Sequence, residues 1–285
     1  MNVPESSTGA RSDVLAFYRE LPFNFRVDAK THAASVRKGD PLRAYPPLVA
    51  VLAGGKTLLD VGCGAGWLVN SAAYHHRALA SGIDFNSVAV ERAREVSKTL
   101  GLTSSFEVAD LFTFRPERRP EVVTSIGVLH HTNDCLGAIQ HLARNVVAPG
   151  GHMFIGLYHL HGRRPFLDHF AAMRRDGASE DAMYEEFKIL RVGASGGTDE
   201  VFLRSWFRDQ VLHPHETCHT LAEIWPLLDD LGFTLKSTTI NRFSPIASRS
   251  DVLAMEPPLE DAGREALVQR RYFPGFFAFL AQAPA

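Results

Sequence analysis

The sequence predicts an α/β fold: seven strands in one mostly parallel sheet, helices on both faces, and a mainly helical insertion or cap after the fifth strand. Three observations predict it. Strand-like and helix-like segments alternate through the first 160 residues. The strand-like segments are short, continuous apolar runs, as in parallel sheets covered on both sides. The first of them ends in a glycine-dense turn that runs straight into a helix.

Taken in order, residues 1–9 are polar and read as a frayed tail. Asp13 caps a helix from Val14, with Leu15, Tyr18 and Leu21 on one stripe and Pro22 ending it. The aromatic run 17–25 is either core or a flap over a ligand. Residues 57–61 form a buried strand, 62–66 a glycine turn and 67–75 a helix. Residues 82–85 end a second strand. A helix follows over 87–100, with Ser87 as its cap and Val88, Ala89, Ala93 and Val96 on its inner face. Residues 105–109 and the Val- and Ile-rich 121–126 are the third and fourth strands. A helix over 135–147 stops at Pro149-Gly150-Gly151, and 152–157 is the fifth strand. The rhythm then changes. Residues 161–219 are helical in pattern, broken by a glycine-rich loop at 193–197. Thr220 caps a helix over 221–231, which Gly232 closes. Residues 235–240 are a strand, 276–282 the last strand beside it, and 241–275 a loop with one helix at 261–271. Four regions result: 1–50 over the site, 51–160 as core, 161–219 as a substrate lid or homodimer interface, and 220–285 completing the sheet.

Composition narrows the function. A net charge of -2 offers no broad positive field for nucleic acid. The basic spots at 115–119 and at Arg163 and Arg164 read as solvated loop charge. Cys63, Cys135 and Cys218 are odd in number and widely spaced, without a C-x-x-C, so neither a disulfide framework nor a zinc knuckle is expected, and the cytoplasm is the natural compartment. The longest apolar run, 276–281, is too short to cross a bilayer, and the N-terminus has no secretory pattern. No nucleic-acid or membrane partner is expected.

The chemistry centres on 58–67, Leu-Leu-Asp-Val-Gly-Cys-Gly-Ala-Gly-Trp. Alternate glycines allow a sharp turn and close approach to a ligand, and the following helix aims its N-terminal amides at an anionic group. The spacing is G-x-G-x-G. Trp67 stands where the dinucleotide fingerprint needs its third glycine, which argues against a nicotinamide oxidoreductase. Asp84 ends the second strand at about the distance expected of a ribose-binding acid. Asp110 follows the third strand, where a carboxylate accepts from an adenine amino group. A glycine turn alone occurs in many α/β proteins; three acids at successive strand ends together with it are far more specific.

These residues resemble the class I S-adenosylmethionine (SAM)-dependent methyltransferases. Residues 58–66 are similar to that family's first motif, 82–85 to its second, 108–111 to its third, Ser125-Ile126-Gly127-Val128-Leu129-His130-His131 to its fourth-strand motif, and 148–152 to the turn before its fifth strand. The likeness covers 58–157, resumes loosely over 220–240 and does not reach the insertion. It implies a Rossmann-like core with SAM as cofactor. Gly62, Cys63, Gly64 and Gly66 would line the methionine end, with Asp60 near its amino group. Asp84 and Phe85 would take the ribose, Asp110 and Leu111 the adenine, and Gly127 and Val128 would sit near the sulfonium and the acceptor.

The methyl acceptor is reached by elimination. There is no N-P-P-Y, no Pro-Cys nucleophile and no Asp-rich metal site after the fourth strand, which leaves a small molecule. His130 and His131 stand at the mouth of the expected site; His131 contacts or deprotonates the acceptor, or one of the pair only holds the loop. Tyr18 is a further candidate for the site, against a core role. His213 belongs to the string 209–216, Asp-Gln-Val-Leu-His-Pro-His-Glu, which reads as substrate-binding, structural or metal-binding, although its spacing fits no standard zinc motif. A non-catalytic SAM-binding module, and transfer from SAM of a group other than methyl, are the competing readings.

Overall fold

Side-chain alternation along the strands sorts the sheet's residues into two cores. In β1 (Thr57–Val61) Leu59 and Val61 join one apolar cluster while Leu58 joins the other. The same split recurs in β4 (Val122–Ile126), β5 (His152–Tyr158) and β7 (Phe276–Gln282). Buried on both faces, the sheet needs helices on both, and the chain supplies them. The structure is a computed structural model that describes residues 12–192 and 199–285. The tail at 1–9 and the glycine-rich loop at 193–197 lie outside the described residues.

With β2 (Leu79–Asp84), β3 (Ser105–Val108) and β6 (Thr234–Thr238), the strand order is β3-β2-β1-β4-β5-β7-β6. The first five strands are parallel, and β7 runs antiparallel between β5 and β6. The order reverses between β1 and β4, and ligands of open α/β sheets bind outside the strand ends at such a switch point. This is the seven-stranded, mostly parallel Rossmann-like sheet that the sequence predicts.

Helices α1 (Ser12–Glu20), α2 (Ala29–Lys38) and α3 (Pro46–Leu52) precede the sheet. α4 (Trp67–His76), α5 (Ser87–Leu100), α6 (Cys135–His141) and α10 (Leu221–Asp230) connect its strands. After β5 come α7 (Leu160–Arg175), α8 (Glu180–Val192) and α9 (Glu200–Phe207). They enclose a third apolar cluster around Phe166, Phe170, Tyr184, Phe187 and Phe207. α9 widens at its end into a π turn over Arg208–Leu212. α11 (Arg249–Leu253) and α12 (Pro258–Val268) lead to β7. Among the described residues no helix is long and apolar enough to cross a membrane.

Several local expectations are corrected. The cap of α5 is Asn86, whose side chain accepts from the Val88 N–H; Ser87 is already helical. Val88 is 46% exposed, and Val90 takes its inner position. The stripe Ala89, Val90, Ala93, Val96, Ser97 keeps the helical period, and Val88 falls off it. The helix expected at 135–147 is α-helical only to His141 and then becomes a π turn over Leu142–Val146. The segment 241–275 holds two helices, because Ser248 caps α11 through the Asp251 N–H. Arg163 is not loop charge. It is fully buried on α7, where its guanidinium forks onto both Glu216 carboxylate oxygens at 2.9 and 2.8 Å and lies 3.9 Å over the Tyr158 ring. Helical spacing puts it on one stripe with Phe166 and Phe170, a signal the isolated Arg-Arg pair hides. Its neighbour Arg164 is exposed.

Candidate active site

The site begins with the turn after β1. Gly62, Gly64 and Gly66 all take the left-handed region, with φ of 77°, 51° and 78°. Their surroundings separate their tasks. A Cβ on Gly62 would stand 2.5 Å from the Val128 methyl groups, and one on Gly66 2.8 Å from Ala93. At Gly64 nothing lies within 4 Å, so this glycine leaves open room. Gly62 therefore lets the β4 loop close on the turn, while Gly66 lets α4 pack against α5.

Above the turn is a cleft that encloses about 960 Å³ of space, open solvent at its mouth included. One end holds acids. Asp84 accepts from the Gly64 N–H through Oδ2 and from the Asn86 N–H through Oδ1, both at 2.8 Å. Burial raises its carboxyl above the ordinary range, and the backbone N–H groups of Asn86, Gly64 and Phe85 oppose that rise. Asp110 accepts from the Phe112 N–H at 2.9 Å and lines the cleft with Leu111 and Phe112.

The roof is α1 and the segment after it, which contribute Val14, Tyr18, Pro22 and Phe23. This strap is tied to both sides. The Asn86 amide donates to the Tyr18 carbonyl at 2.8 Å, and Arg92 donates to the Arg26 carbonyl at 2.9 Å. On the insertion side Arg208 pairs with Glu20 at 2.7 Å, Arg26 with Asp199 at 3.3 Å, and Phe23 packs on Trp206.

The other end of the cleft is a buried polar cluster. The Tyr18 hydroxyl donates to Asp209 Oδ1 at 2.5 Å. The Gln210 amide donates to Asp209 Oδ2 at 2.8 Å, and the Tyr158 hydroxyl reaches the same oxygen at 3.3 Å. The His131 ring stacks on His213 at 3.7 Å. The returning chain locks this group in place: His215 bonds the Thr132 carbonyl, and the Thr217 N–H donates to the His130 carbonyl at 2.8 Å. Burial holds both imidazoles neutral, pushing His131 and His213 each down to about 3. Burial likewise raises the Asp209 carboxyl, against the pull of His213, Tyr18, Gln210 and Arg163. The Tyr18 phenol is pushed well above its usual value, first by burial and then by Asp209.

Of the residues singled out from sequence, Tyr18, Gly62, Cys63, Gly64, Asp84, Phe85, Asp110, Leu111, Gly127, Val128 and His131 line this one cleft. Four do not. Gly66 is packed away, as described. Asp60 is buried at the strand end, and its Oδ1 accepts from the Thr124 hydroxyl at 2.7 Å. His213 backs His131. His130 faces Tyr158 at 4.1 Å, and its Nδ1 accepts from the Tyr158 N–H at 3.3 Å. Sequence reasoning passed over Asn86, Trp67, Phe112 and Thr132, which also line the cleft. An Asn immediately before a helix was a readable cap signal for the first; Thr132 had none. Among the described residues, no group of three His, Cys, Asp or Glu is arranged to hold a metal.

A family model described as a methyltransferase domain matches residues 34–234, more than half of the chain. The chain belongs to the SAM-dependent methyltransferase family. The ubiquinone biosynthesis O-methyltransferase of Vibrio cholerae is 36% identical over 103 residues, 35% of this chain and 41% of that protein. Its namesake in Coxiella burnetii is 29% identical over 101 residues, 35% of this chain and 42% of that one. The matches therefore span about two fifths of the length of these curated relatives. Among solved structures, PKMT2 from Rickettsia typhi in complex with AdoHcy superposes with a TM-score of 0.57 at 14% identity, covering 84% of this chain and 52% of that one. Magnesium protoporphyrin IX methyltransferase from Synechocystis, with bound SAH, gives 0.51 at 17% identity, covering 95% and 94%. At such identities these structures speak to the fold alone.

Proposed function

We propose that this protein transfers a methyl group from SAM to a small-molecule acceptor, releasing S-adenosylhomocysteine (SAH). The observation that carries the reading is a single cleft that joins the glycine turn, Asp84 and Asp110 at one end to Tyr18 and His131 at the other. The residues suit the cofactor. Gly64 keeps open the space a side chain would fill, and the Asp84 carboxylate, anchored by two N–H groups, retains lone pairs for ribose hydroxyls. Asp110 and Leu111 stand where the adenine would lie, and Gly62, Cys63, Gly127 and Val128 line the stretch between. Asp60, Gly66, His130 and His213 act at one remove, holding the turn and the His131 ring. When bound, the cofactor supplies an electrophilic methyl group on a sulfonium.

The protein's own part is position and exclusion of water. The α1 strap roofs the cleft with apolar side chains, and the insertion holds the strap down. That arrangement supports a small acceptor with an apolar body, and the name of the Vibrio relative, an O-methyltransferase of ubiquinone biosynthesis, is in keeping with it. The test is calorimetric titration with SAM, SAH and NAD, followed by the product mass. Micromolar binding of both sulfur nucleosides with none of NAD, and an acceptor gaining one methyl group, is the expected result. Absence of SAM and SAH binding would overturn the proposal.

A further inference from the structure

The roof of the cleft is held differently from the rest of the fold. Among the described residues, none of 12–28 belongs to the three apolar clusters. Within the nine residues of α1 only Val14 is buried, and a helix this short does not hold itself together in water. Polar ties therefore keep the strap down, and they are unequal. The Arg208–Glu20 pair leaves Glu20 70% exposed, where water and salt screen it. Tyr18 makes two ties to buried partners. Its hydroxyl donates to Asp209 on the insertion side, and its carbonyl accepts from the Asn86 amide on the sheet side. Beneath the strap, Cys63, Ile83, Asp84, Ala89 and His131 line the cleft, yet none is more than 9% exposed. A ligand that uses Asp84 must reach a group that the strap covers.

We infer that the strap is a gate for the cofactor and that Tyr18 is its latch: SAM enters and SAH leaves when α1 lifts and both Tyr18 hydrogen bonds break. The inference rests on the methyltransferase reading above. The two ties run to different halves of the site. Through Asn86 the strap is joined to Asp84, because the Asn86 N–H donates to Asp84 Oδ1 while its side-chain oxygen caps α5. Through Asp209 it is joined to the insertion, where Gln210 and Tyr158 hold the other carboxylate oxygen. Closure thus needs both halves in place, and Asn86 and Asp209 are positioning residues that act through Tyr18. Segments held by few apolar contacts open at much lower cost than the core, so α1 lifts while the sheet stays folded.

The experiment uses the full chain and two readouts. Stopped-flow fluorescence follows SAH binding through Trp67, which lines the cleft. Hydrogen exchange of the 12–20 amides reports opening with no ligand present. The observed binding rate is expected to rise with SAH and then level off at the opening rate, because SAH waits for the gate. Tyr18→Phe keeps the ring and the carbonyl tie and loses the hydroxyl. It is expected to raise both the plateau and the exchange of 12–20 about tenfold, the size of one buried hydrogen bond. Asn86→Ser keeps a capping oxygen for α5 and loses the amide donor, and is expected to act the same way. A purely structural role would lower the melting temperature and leave the plateau in place. A binding rate proportional to SAH throughout, or a Tyr18→Phe plateau and exchange equal to the parent's, would overturn the gate. If SAH binds without a plateau, only the gate falls; if SAH does not bind at all, the cofactor reading falls and the gate with it.

Discussion

Asp60 offers a quantitative check on the turn that carries the site. It is 4% exposed at the end of β1, and burial pushes its carboxyl from 3.8 up to about 7, helped by Asp84 and opposed by the Thr124 hydroxyl. A rise of that size is worth about 4 kcal/mol. Because the folded value is the higher one, the folded protein keeps a proton that the unfolded chain has released between the two values. Stability from this group is therefore fully present below 3.8 and lost as pH climbs through about 7. Asp60→Asn retains the oxygen that accepts from Thr124 and removes the charge. It adds an amide N–H that needs an acceptor, at a cost of about 1 kcal/mol. The variant is expected to be more stable than the parent by about 2–3 kcal/mol above neutrality, with the advantage gone at about pH 4. Urea denaturation followed by circular dichroism across that range measures it. An advantage that does not change with pH, or a loss of stability above neutrality, would refute the argument.

The other predictions concern the turn, Asp84 and the buried ion pair. Gly62→Ala combines a left-handed φ of 77° with a Cβ 2.5 Å from Val128, whereas Gly64→Ala meets only the backbone penalty of about 1–2 kcal/mol. Thermal denaturation should therefore rank Gly62→Ala clearly below Gly64→Ala, and equal melting temperatures would contradict the packing. Asp84→Asn sets an amide against one of two donating N–H groups, and calorimetry should show SAH affinity falling about tenfold or more. Arg163→Met strands the Glu216 carboxylate and is expected to destabilise by about 3–5 kcal/mol; the double variant with Glu216→Leu should recover most of that in the same urea assay.

The core was legible because its signals are local. β1, the glycine turn, Asp84 and Asp110 are separate short strings, and one fold rule places them at one switch point. The polar cluster at the other end of the cleft was less so. Tyr18 and Asp209 are 191 residues apart in sequence, and no periodicity announces that they are hydrogen-bonded. Arg163 looked like surface charge because its partners, Gln210 and Glu216, lie in a segment that matches no motif. By residue type Ser87 is as good a cap for α5 as Asn86, which fills that place. Both residue types cap helices, so only the observed bond to Val88 separates them.

The π turn over Arg208–Leu212 bears on what fixes the direction of Asp209. A π turn holds one more residue than the α turn it replaces, and Asp209 and Gln210 sit inside it. The direction in which the acid points is thus set by a count of residues and not by their identity. Loss of a single residue from α9 would let the turn tighten and swing Asp209 off Tyr18, with the SAM half untouched. The geometry of this polar cluster is therefore sensitive to single-residue insertions and deletions in α9 in a way that substitutions there are not.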